Sequence, residues 1–230
     1  LMNEKVFITG ASSGIGAALA IEFAKRGATL GISARRSEKL QSIAQKCKES
    51  GATDVFTYTV DVTNQDSSES TAKDFIASAN GIDIIIANAG VAYSDKISSG
   101  EATQINQVFS TNVLGVTNSI IPFVPTMKEN SSGKIVIISS IASFRPIAFH
   151  GGYSASKSAV RMLADSWRMA LKKYNIQLTA ICPGFIVSEM TNENKFPMPF
   201  LLETEDAARK IVKAIDNGKK TYILPWQVKM

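Results

Sequence analysis

Short apolar runs alternate with longer amphipathic segments along most of the chain. The short runs are rich in Val and Ile and predict strands at Lys5–Thr9, Thr29–Ser33, Val55–Val60, Asp83–Ala87, Lys134–Ser139, Gln177–Cys182 and Thr221–Leu224. The longer segments predict helices at Ile15–Arg26, Ser37–Ser50, Asp66–Ala79, Ala102–Lys128, Gly152–Tyr174 and Thr204–Asn217. Strands that alternate with helices form parallel sheets, and right-handed crossovers cover both faces. The pattern therefore predicts an α/β fold, a doubly wound seven-stranded parallel sheet flanked by helices on both faces.

The composition is that of an ordinary globular chain. Of the 230 residues, 45% are hydrophobic and 20% are charged, which excludes disordered and fibrous classes and allows one large core. No linker rich in Pro, Gly or Ser divides the sequence, so we expect residues 1–230 to form a single domain. Two cysteines are too few for a disulfide framework, and one histidine cannot build a His-rich metal site. We therefore expect a soluble, reduced, cytoplasmic protein without a metal.

Charge and hydropathy narrow the classes of partner. The net charge is +5, but the basic residues are scattered and cluster only in pairs, which argues against nucleic acid. Glu4 and Lys5 precede a short apolar run, which is not the pattern of a signal peptide. The uncharged stretch Ala102–Met127 is long enough to span a bilayer, but it contains several amides together with Pro122 and Pro125. We expect a helix buried against protein and no membrane span.

A glycine-rich turn joins the first predicted strand to the first predicted helix. It reads Thr9-Gly10-Ala11-Ser12-Ser13-Gly14-Ile15-Gly16. Gly10 permits a tight turn, Gly14 lets backbone N–H groups approach a pyrophosphate, and Gly16 permits close packing of the helix. The helix N-terminus adds partial positive charge toward the phosphates. A plain flexible turn is the alternative, but the strand before it and the helix after it favour a dinucleotide site of the Rossmann type.

The end of the second predicted strand indicates which dinucleotide is bound. An acidic side chain there would bind the ribose 2′-hydroxyl and repel a 2′-phosphate. The chain instead reads Ile32-Ser33-Ala34-Arg35-Arg36. Arg35 and Arg36 carry planar, permanently charged groups that suit a phosphate, although solvated surface arginines before a helix would give the same pattern. The sequence favours NADP(H) over NAD(H).

Tyr153 and Lys157 form a pair at the beginning of a predicted helix. Their spacing of four residues places both side chains on one face. An ammonium nearby would stabilise the phenolate, lower the pKa of Tyr153 and suit it to act as a general acid near neutral pH. The pair alone is weakly specific. Polar groups accompany it at predicted strand ends, where open α/β sheets bind ligands: Asn88-Ala89-Gly90, Ser139-Ser140 and Pro183-Gly184.

Together these motifs resemble those of the short-chain dehydrogenase/reductase family over nearly the whole chain. Three further segments are similar to cofactor-binding motifs of that family: Asp61-Val62, Ala87-Asn88-Ala89-Gly90 and Pro183-Gly184-Phe185-Ile186-Val187-Ser188. The resemblance implies that Asp61 and Val62 contact the adenine and that Ser188 binds the nicotinamide carboxamide. Ala87 departs from the family pattern, which usually has Asn at this position. The Ala34-Arg35 pair is similar to the NADP-preferring branch.

The resemblance also implies a catalytic tetrad of Asn112, Ser140, Tyr153 and Lys157. In that mechanism Tyr153 donates a proton to a carbonyl oxygen, and Ser140 donates a hydrogen bond to the same oxygen. Lys157 holds the nicotinamide ribose and tunes Tyr153, and Asn112 positions a water that completes a proton relay. Prearranged donors of this kind stabilise a developing alkoxide, and the cofactor supplies the hydride.

The segment 189–203 is short, irregular and apolar, and it includes Phe196 and Phe200. These features are typical of a lid over an apolar substrate, although packed core or a subunit contact would produce the same pattern. The family resemblance implies a homodimer or homotetramer through the helices around Asn106–Ile121 and Met162–Leu171. Helices that only cover the sheet of a monomer are the alternative.

The sequence therefore predicts an NADP(H)-dependent oxidoreductase that reduces a ketone or aldehyde, with tyrosine as the general acid. Two other functions stay open: an NAD-dependent alcohol dehydrogenase and a catalytically silent NADP(H)-binding regulator. A nucleotide-sugar epimerase is disfavoured, because it would need a different glycine spacing and a longer substrate domain.

Overall fold

A computed structural model describes residues 3–95, 97–192 and 198–228. Within them the strands form one seven-stranded sheet in the order β3-β2-β1-β4-β5-β6-β7, and every pair is parallel. The strands are β1 (Lys5–Thr9), β2 (Thr29–Ala34), β3 (Asp54–Thr59), β4 (Ile84–Ala87), β5 (Gly133–Ile138), β6 (Ile176–Pro183) and β7 (Thr221–Leu224). The predicted doubly wound sheet is confirmed.

The strand order reverses between β1 and β4, and this reversal positions the site. Chain connections leave β1 toward β2 on one side and β4 toward β5 on the other, which opens a crevice at the carboxyl ends of the two central strands. β4 consists of Ile84, Ile85, Ile86 and Ala87, all of them buried. Apolar residues on both sides of the strand are what a central parallel strand requires, because helices cover both faces.

Helices cover the two faces and bury one apolar cluster against each. They are α1 (Gly14–Ala24), α2 (Ser37–Glu49), α3 (Gln65–Ala79), α4 (Thr103–Phe109), α5 (Gly115–Ile120), α6 (Val124–Glu129), α7 (Gly151–Leu171), α8 (Glu189–Asn192) and α9 (Thr204–Asp216). On one face, Phe23 of α1 and Ile211 of α9 pack in the same cluster as Leu40 of α2. On the other, Phe75 of α3 packs with Val160 of α7. Burial of each such side chain contributes about 1.5–3 kcal/mol.

The predicted helix Ala102–Lys128 is wrong as one regular helix. A π-helical turn at Ser110–Leu114 follows α4, and a 3₁₀ turn at Ile121–Phe123 separates α5 from α6. Pro122 lies in that 3₁₀ turn and has no N–H to donate to the helix.

The stretch Thr103–Glu129 is long and apolar enough to cross a membrane by length and composition alone. In the structure it packs on the sheet through Val116, Ile120, Phe123 and Met127, each of them at most 2% exposed. The side chains that face the sheet are therefore part of the core, as the sequence predicted, while Leu114 and Ile121 of the same stretch are exposed.

Candidate active site

A cavity of about 480 Å³ lies at the carboxyl edge of the central strands. It brings together most of the residues predicted to bind a cofactor or to catalyse, although they are far apart in sequence. The predicted residues that line it are Gly10, Ser12, Ser13, Gly14, Ile15, Arg35, Arg36, Asp61, Val62, Asn88, Ala89, Gly90, Ser140, Tyr153, Lys157, Pro183, Gly184, Ile186 and Ser188. Gly16 and Asn112 do not line it and instead support its wall.

The glycine turn is shaped by close approach of the backbone to its neighbours. Gly10 has a φ of +68°, and a Cβ on it would lie 2.7 Å from the Cα of Ala89. A Cβ on Gly16 would lie 2.4 Å from Nδ2 of Asn88 and 2.5 Å from the carbonyl oxygen of Gly10. Gly14 has a φ of +54° at the beginning of α1. Gly10 and Gly16 are therefore required for these close approaches, and Gly14 has a backbone conformation that favours glycine.

Asn88 ties the end of β4 to the end of β1. Its Nδ2 donates to the carbonyl oxygens of Thr9 at 3.0 Å and Gly10 at 3.1 Å. In return, the Thr9 hydroxyl accepts from the backbone N–H groups of Asn88 and Ala89. The side-chain N–H groups of Asn88 are thus occupied by the glycine turn, so its contribution to the site is to fix the shape of that turn.

The two arginines after β2 lie in different surroundings. Arg36 reaches back over the glycine turn, where Nη2 donates to the hydroxyls of Ser12 at 3.1 Å and Ser13 at 2.7 Å. Its Nη1 lies 2.7 Å from Oε2 of Glu189, at the beginning of α8. Arg35 is more exposed and lies 3.9 Å from a carboxylate oxygen of Asp61. Both arginines line the cavity, but of the two only Arg36 contacts the glycine turn.

Lys157 is a buried cation on α7. It is 4% exposed, and its Nζ donates to the carbonyl oxygen of Ile138 at 2.9 Å. The same Nζ lies 3.3 Å from the position that a Cβ on Gly90 would occupy, so a side chain there would crowd the ammonium. Burial lowers the pKa of Lys157 to about 8, while the nearby Cys182 raises it slightly. The ammonium therefore lies in the cavity wall with little solvation.

Tyr153 lies one turn before Lys157, with Lys157 Nζ 5.8 Å from the centre of its ring. The expected lowering of its pKa is not found. Burial raises the pKa of Tyr153 above 10, and a side-chain hydrogen bond with Ser140 only partly offsets this. The spacing showed that a lysine is near, but it did not show that the same burial desolvates both groups. Ser140 follows β5 and also accepts from the N–H of Ala142, which lies in the 3₁₀ turn Ile141–Ser143.

Asn112 lies behind the cavity wall, fully buried in the π-helical turn. Its Nδ2 donates to the carbonyl oxygen of Val91 at 2.9 Å and to the Ser156 hydroxyl at 3.0 Å. Its Oδ1 accepts from the N–H of Val91 at 2.8 Å. The side chain thus joins the loop after β4 to α7. Its amide groups are occupied by protein partners rather than aimed into the cavity.

Ser188 lines another part of the cavity, and the segment predicted as a lid begins directly after it. The Thr191 hydroxyl, which the sequence did not single out, accepts from the N–H of Ser188 at 2.9 Å. Leu202 pairs with Ile186 in an isolated parallel bridge, which returns the segment to the cavity wall. Residues 193–197, including Phe196 and Pro197, lie outside the described residues, while Phe200 is 54% exposed. The lid stays a prediction.

Comparison with known proteins identifies the family. The model for "short chain dehydrogenase" matches residues 4–197. An "Uncharacterized oxidoreductase" of Myxococcus xanthus is 37% identical over 221 residues, which are 96% of this chain and 87% of that protein.

Solved structures agree with the family model. Levodione reductase superposes with a TM-score of 0.90 at 26% identity, over 97% of this chain and 96% of its own. An alcohol dehydrogenase from Thermococcus sibiricus, complexed with 5-hydroxy-NADP, gives 0.85 at 25% identity, over 96% and 95%. A short chain dehydrogenase from Mycobacterium paratuberculosis, bound to NAD, gives 0.88 at 25% identity, over 97% and 96%. With its sheet, glycine turn and Tyr153–Lys157 pair, the chain belongs to the short chain dehydrogenase family of oxidoreductases.

Proposed function

We propose that the chain reduces a ketone or aldehyde to an alcohol with NADP(H), and that Tyr153 is the general acid. The observation that carries the proposal is one continuous cavity. It has a glycine turn with a cation held over it at one end, and Ser140, Tyr153 and Lys157 at the other. A dinucleotide with a charged and a reactive end requires this combination in a single site.

The residues present fit a nicotinamide dinucleotide. The cradle at Gly14 leaves room where a side chain would otherwise stand, and the N-terminus of the eleven-residue helix α1 faces it. At the far end, Lys157 has one acceptor, Ile138, among the hydrogen bonds of the described residues, and its ammonium can donate three. It would hold the ribose hydroxyls of the nicotinamide. When bound, the cofactor supplies the hydride that is transferred to the carbonyl carbon.

The protein's own groups manage the proton. Tyr153 donates its phenolic proton to the carbonyl oxygen of the substrate as that oxygen becomes an alkoxide. The Ser140 hydroxyl, which is hydrogen-bonded to Tyr153 in the free protein, turns to donate its one hydrogen bond to the same oxygen. Asn112 acts on the site indirectly, because it fixes the loop after β4 and the position of α7.

A preference for NADP(H) is supported by Arg36 over the Ser12 and Ser13 hydroxyls and by the absence of an acid in Ile32-Ser33-Ala34-Arg35-Arg36. An apolar substrate is supported by the side chains of Ile141, Ile147 and Phe185 in the cavity wall.

A homodimer or homotetramer is supported by exposed apolar side chains on the helices expected to pair, among them Leu114, Met162 and Met169. Light scattering of the purified protein measures that state.

The experiment has two stages. The first titrates the protein with NADPH and NADH and follows nicotinamide fluorescence at fixed salt. The second follows NADPH oxidation with apolar ketones and aldehydes for the wild type and for Tyr153→Phe. We expect tighter binding of NADPH, and a variant that still binds NADPH but loses turnover by at least about a hundredfold, the usual contribution of a general acid.

Tyr174→Phe is the matched control, since Tyr174 lies outside the cavity lining, and it should retain wild-type turnover. Robust activity of Tyr153→Phe would refute the assignment. Tighter binding of NADH would instead favour an NAD-dependent alcohol dehydrogenase. NADPH binding without turnover on any carbonyl compound would favour a regulator.

A further inference from the structure

A three-residue ion network connects the phosphate end of the cavity with the beginning of α8. The Glu189 carboxylate bridges two cations of the α2 region: Arg36 Nη1 lies 2.7 Å from Oε2, and Lys39 Nζ lies 2.5 Å from Oε1. Arg36 is at the same time hydrogen-bonded to Ser12 and Ser13 of the glycine turn. The carboxylate therefore lies between two cations, one of which also donates to two hydroxyls of the glycine turn.

The donors at this place suit a phosphate as well as they suit a carboxylate. It lies directly after β2, where the sequence has Arg35-Arg36 in place of an acid. A guanidinium fork and an ammonium, together with hydroxyls, are the donors that bind phosphate monoesters. Hydrogen bonds from Lys39 and Arg36 hold the pKa of Glu189 at about 2, so it is an anion at every working pH. Its side chain is half exposed, so a competing anion can reach it from solvent.

We propose that Glu189 occupies, in the free protein, the place of the cofactor's 2′-phosphate, and that the phosphate must exchange with this carboxylate for Arg36 and Lys39. The inference rests on the proposed use of NADP(H). It makes Glu189 a determinant of cofactor affinity, acting as an internal competitor, and it makes Lys39 a second phosphate-binding cation beside Arg36.

The exchange predicts a selective effect on ligands that carry a 2′-phosphate. Such a ligand must break two half-exposed ion pairs, which reduces its affinity, whereas a ligand without the phosphate leaves both pairs in place. Half-exposed pairs are individually weak, so removal of Glu189 should tighten the phosphate ligand about three- to tenfold. Because these charges are solvated, the gain should shrink as salt is raised.

Calorimetric titration of the full chain with two adenosine fragments isolates this step from the nicotinamide end. The ligands are adenosine 2′,5′-bisphosphate and adenosine 5′-monophosphate, which differ only in the 2′-phosphate. Glu189→Gln should tighten the bisphosphate about three- to tenfold and change the monophosphate less than about twofold. Adding Lys39→Gln to that variant should weaken the bisphosphate again. Thermal melting confirms that each variant is folded.

Glu38→Gln is the matched control. It removes one negative charge from the exposed first turn of α2, next to Lys39, and Glu38 has no side-chain hydrogen bond or ion pair among the described residues. It should change either ligand less than about twofold. An equal gain in Glu38→Gln and Glu189→Gln would reduce the effect to general electrostatics and overturn the proposal.

Two other results overturn it. Weaker binding of the bisphosphate to Glu189→Gln would mean that Glu189 holds Arg36 in its binding position, and an equal gain for both ligands would mean that no exchange occurs. The same titrations distinguish failure of the NADP(H) assignment from failure of this inference. If the wild type binds both fragments alike, that assignment loses its support. No preference for the bisphosphate in either protein rejects both the assignment and the inference, whereas a preference in the wild type that Glu189→Gln leaves unchanged rejects the inference alone.

Discussion

Replacement of the buried Lys157 by methionine should not destabilise the protein at neutral pH, although it removes a residue proposed to take part in catalysis. Lys157 is 4% exposed, and burial lowers its pKa from 10.5 to about 8. At pH 7 the folded protein therefore carries a poorly solvated charge that the unfolded chain solvates freely. Methionine has a similar length and no charge, so it fills the same space without this cost.

The size of the effect follows from the difference in pKa. A shift from 10.5 to about 8 corresponds to roughly 3 kcal/mol at pH 7. The variant also loses the charged hydrogen bond to the Ile138 carbonyl oxygen, which is worth about 1.5–3 kcal/mol. We therefore expect the free energy of unfolding of Lys157→Met at pH 7 to equal that of the wild type or to exceed it by up to about 2 kcal/mol.

The dependence on pH gives the sharper test. Because the pKa is lowered in the folded state, the unfolded wild type binds more protons between pH 8 and 10.5, and its stability rises with pH in that window. The wild type should thus gain about 2 kcal/mol relative to Lys157→Met between pH 7 and 9.5. Urea unfolding of both proteins across this range measures the difference, since other groups titrate alike in the two.

Lys172→Met, which removes an exposed lysine, serves as the control, and its difference from the wild type should stay nearly constant. A constant difference between wild type and Lys157→Met from pH 7 to 9.5 would refute the reasoning. It would show that water or a local rearrangement solvates the ammonium in the folded protein.

Two further substitutions test the glycine turn. Gly16→Ala should lower the free energy of unfolding by about 1–3 kcal/mol and weaken NADPH binding, because its Cβ would meet Asn88 and the Gly10 carbonyl. Gly27→Ala, where no atom lies within 4 Å of the added Cβ, should leave NADPH binding unchanged. Asn88→Ala removes two hydrogen bonds to the turn and should cost about 2 kcal/mol in urea unfolding. Wild-type stability of Asn88→Ala, or wild-type affinity of Gly16→Ala, would contradict these assignments.

The sheet could be predicted from the sequence because its strands are local apolar runs. β4 reads Ile84-Ile85-Ile86-Ala87, and only a strand covered on both faces makes such a run favourable in so few residues. The prediction of one regular helix over Ala102–Lys128 was wrong because of a long-range contact, which hydrophobic periodicity does not reveal. The π-helical turn places Asn112 so that its amide satisfies both backbone groups of Val91, which lies 21 residues away.

The grouping of the candidate site residues around one cavity was predictable where it depends on short motifs. The glycine spacing and the Tyr153–Lys157 pair lie within single turns, and the edge of a parallel sheet brings such turns together. The network of Glu189 with Arg36 and Lys39 could not be predicted, because Glu189 lies about 150 residues from the two cations. In the sequence, each of the three looks like an ordinary charged surface residue. The direction of the Tyr153 pKa was missed for the same reason, since burial depends on the whole fold.

The cations at the two ends of the cavity differ in how many partners they already have. The two ends should therefore contribute unequally to the affinity for a dinucleotide. Arg36 already has a carboxylate and two hydroxyls as partners, so an incoming phosphate must replace contacts that exist. Lys157 is buried with one carbonyl acceptor among the described residues, so incoming hydroxyls would relieve a cost that the free protein carries. Ribose contacts at the Lys157 end should then contribute a large share of the free energy of binding. That share should be larger than one would expect from the fact that the ribose is neutral and the 2′-phosphate is charged. Lys157→Met should accordingly weaken the whole cofactor more than it weakens adenosine 2′,5′-bisphosphate, which lacks the nicotinamide ribose.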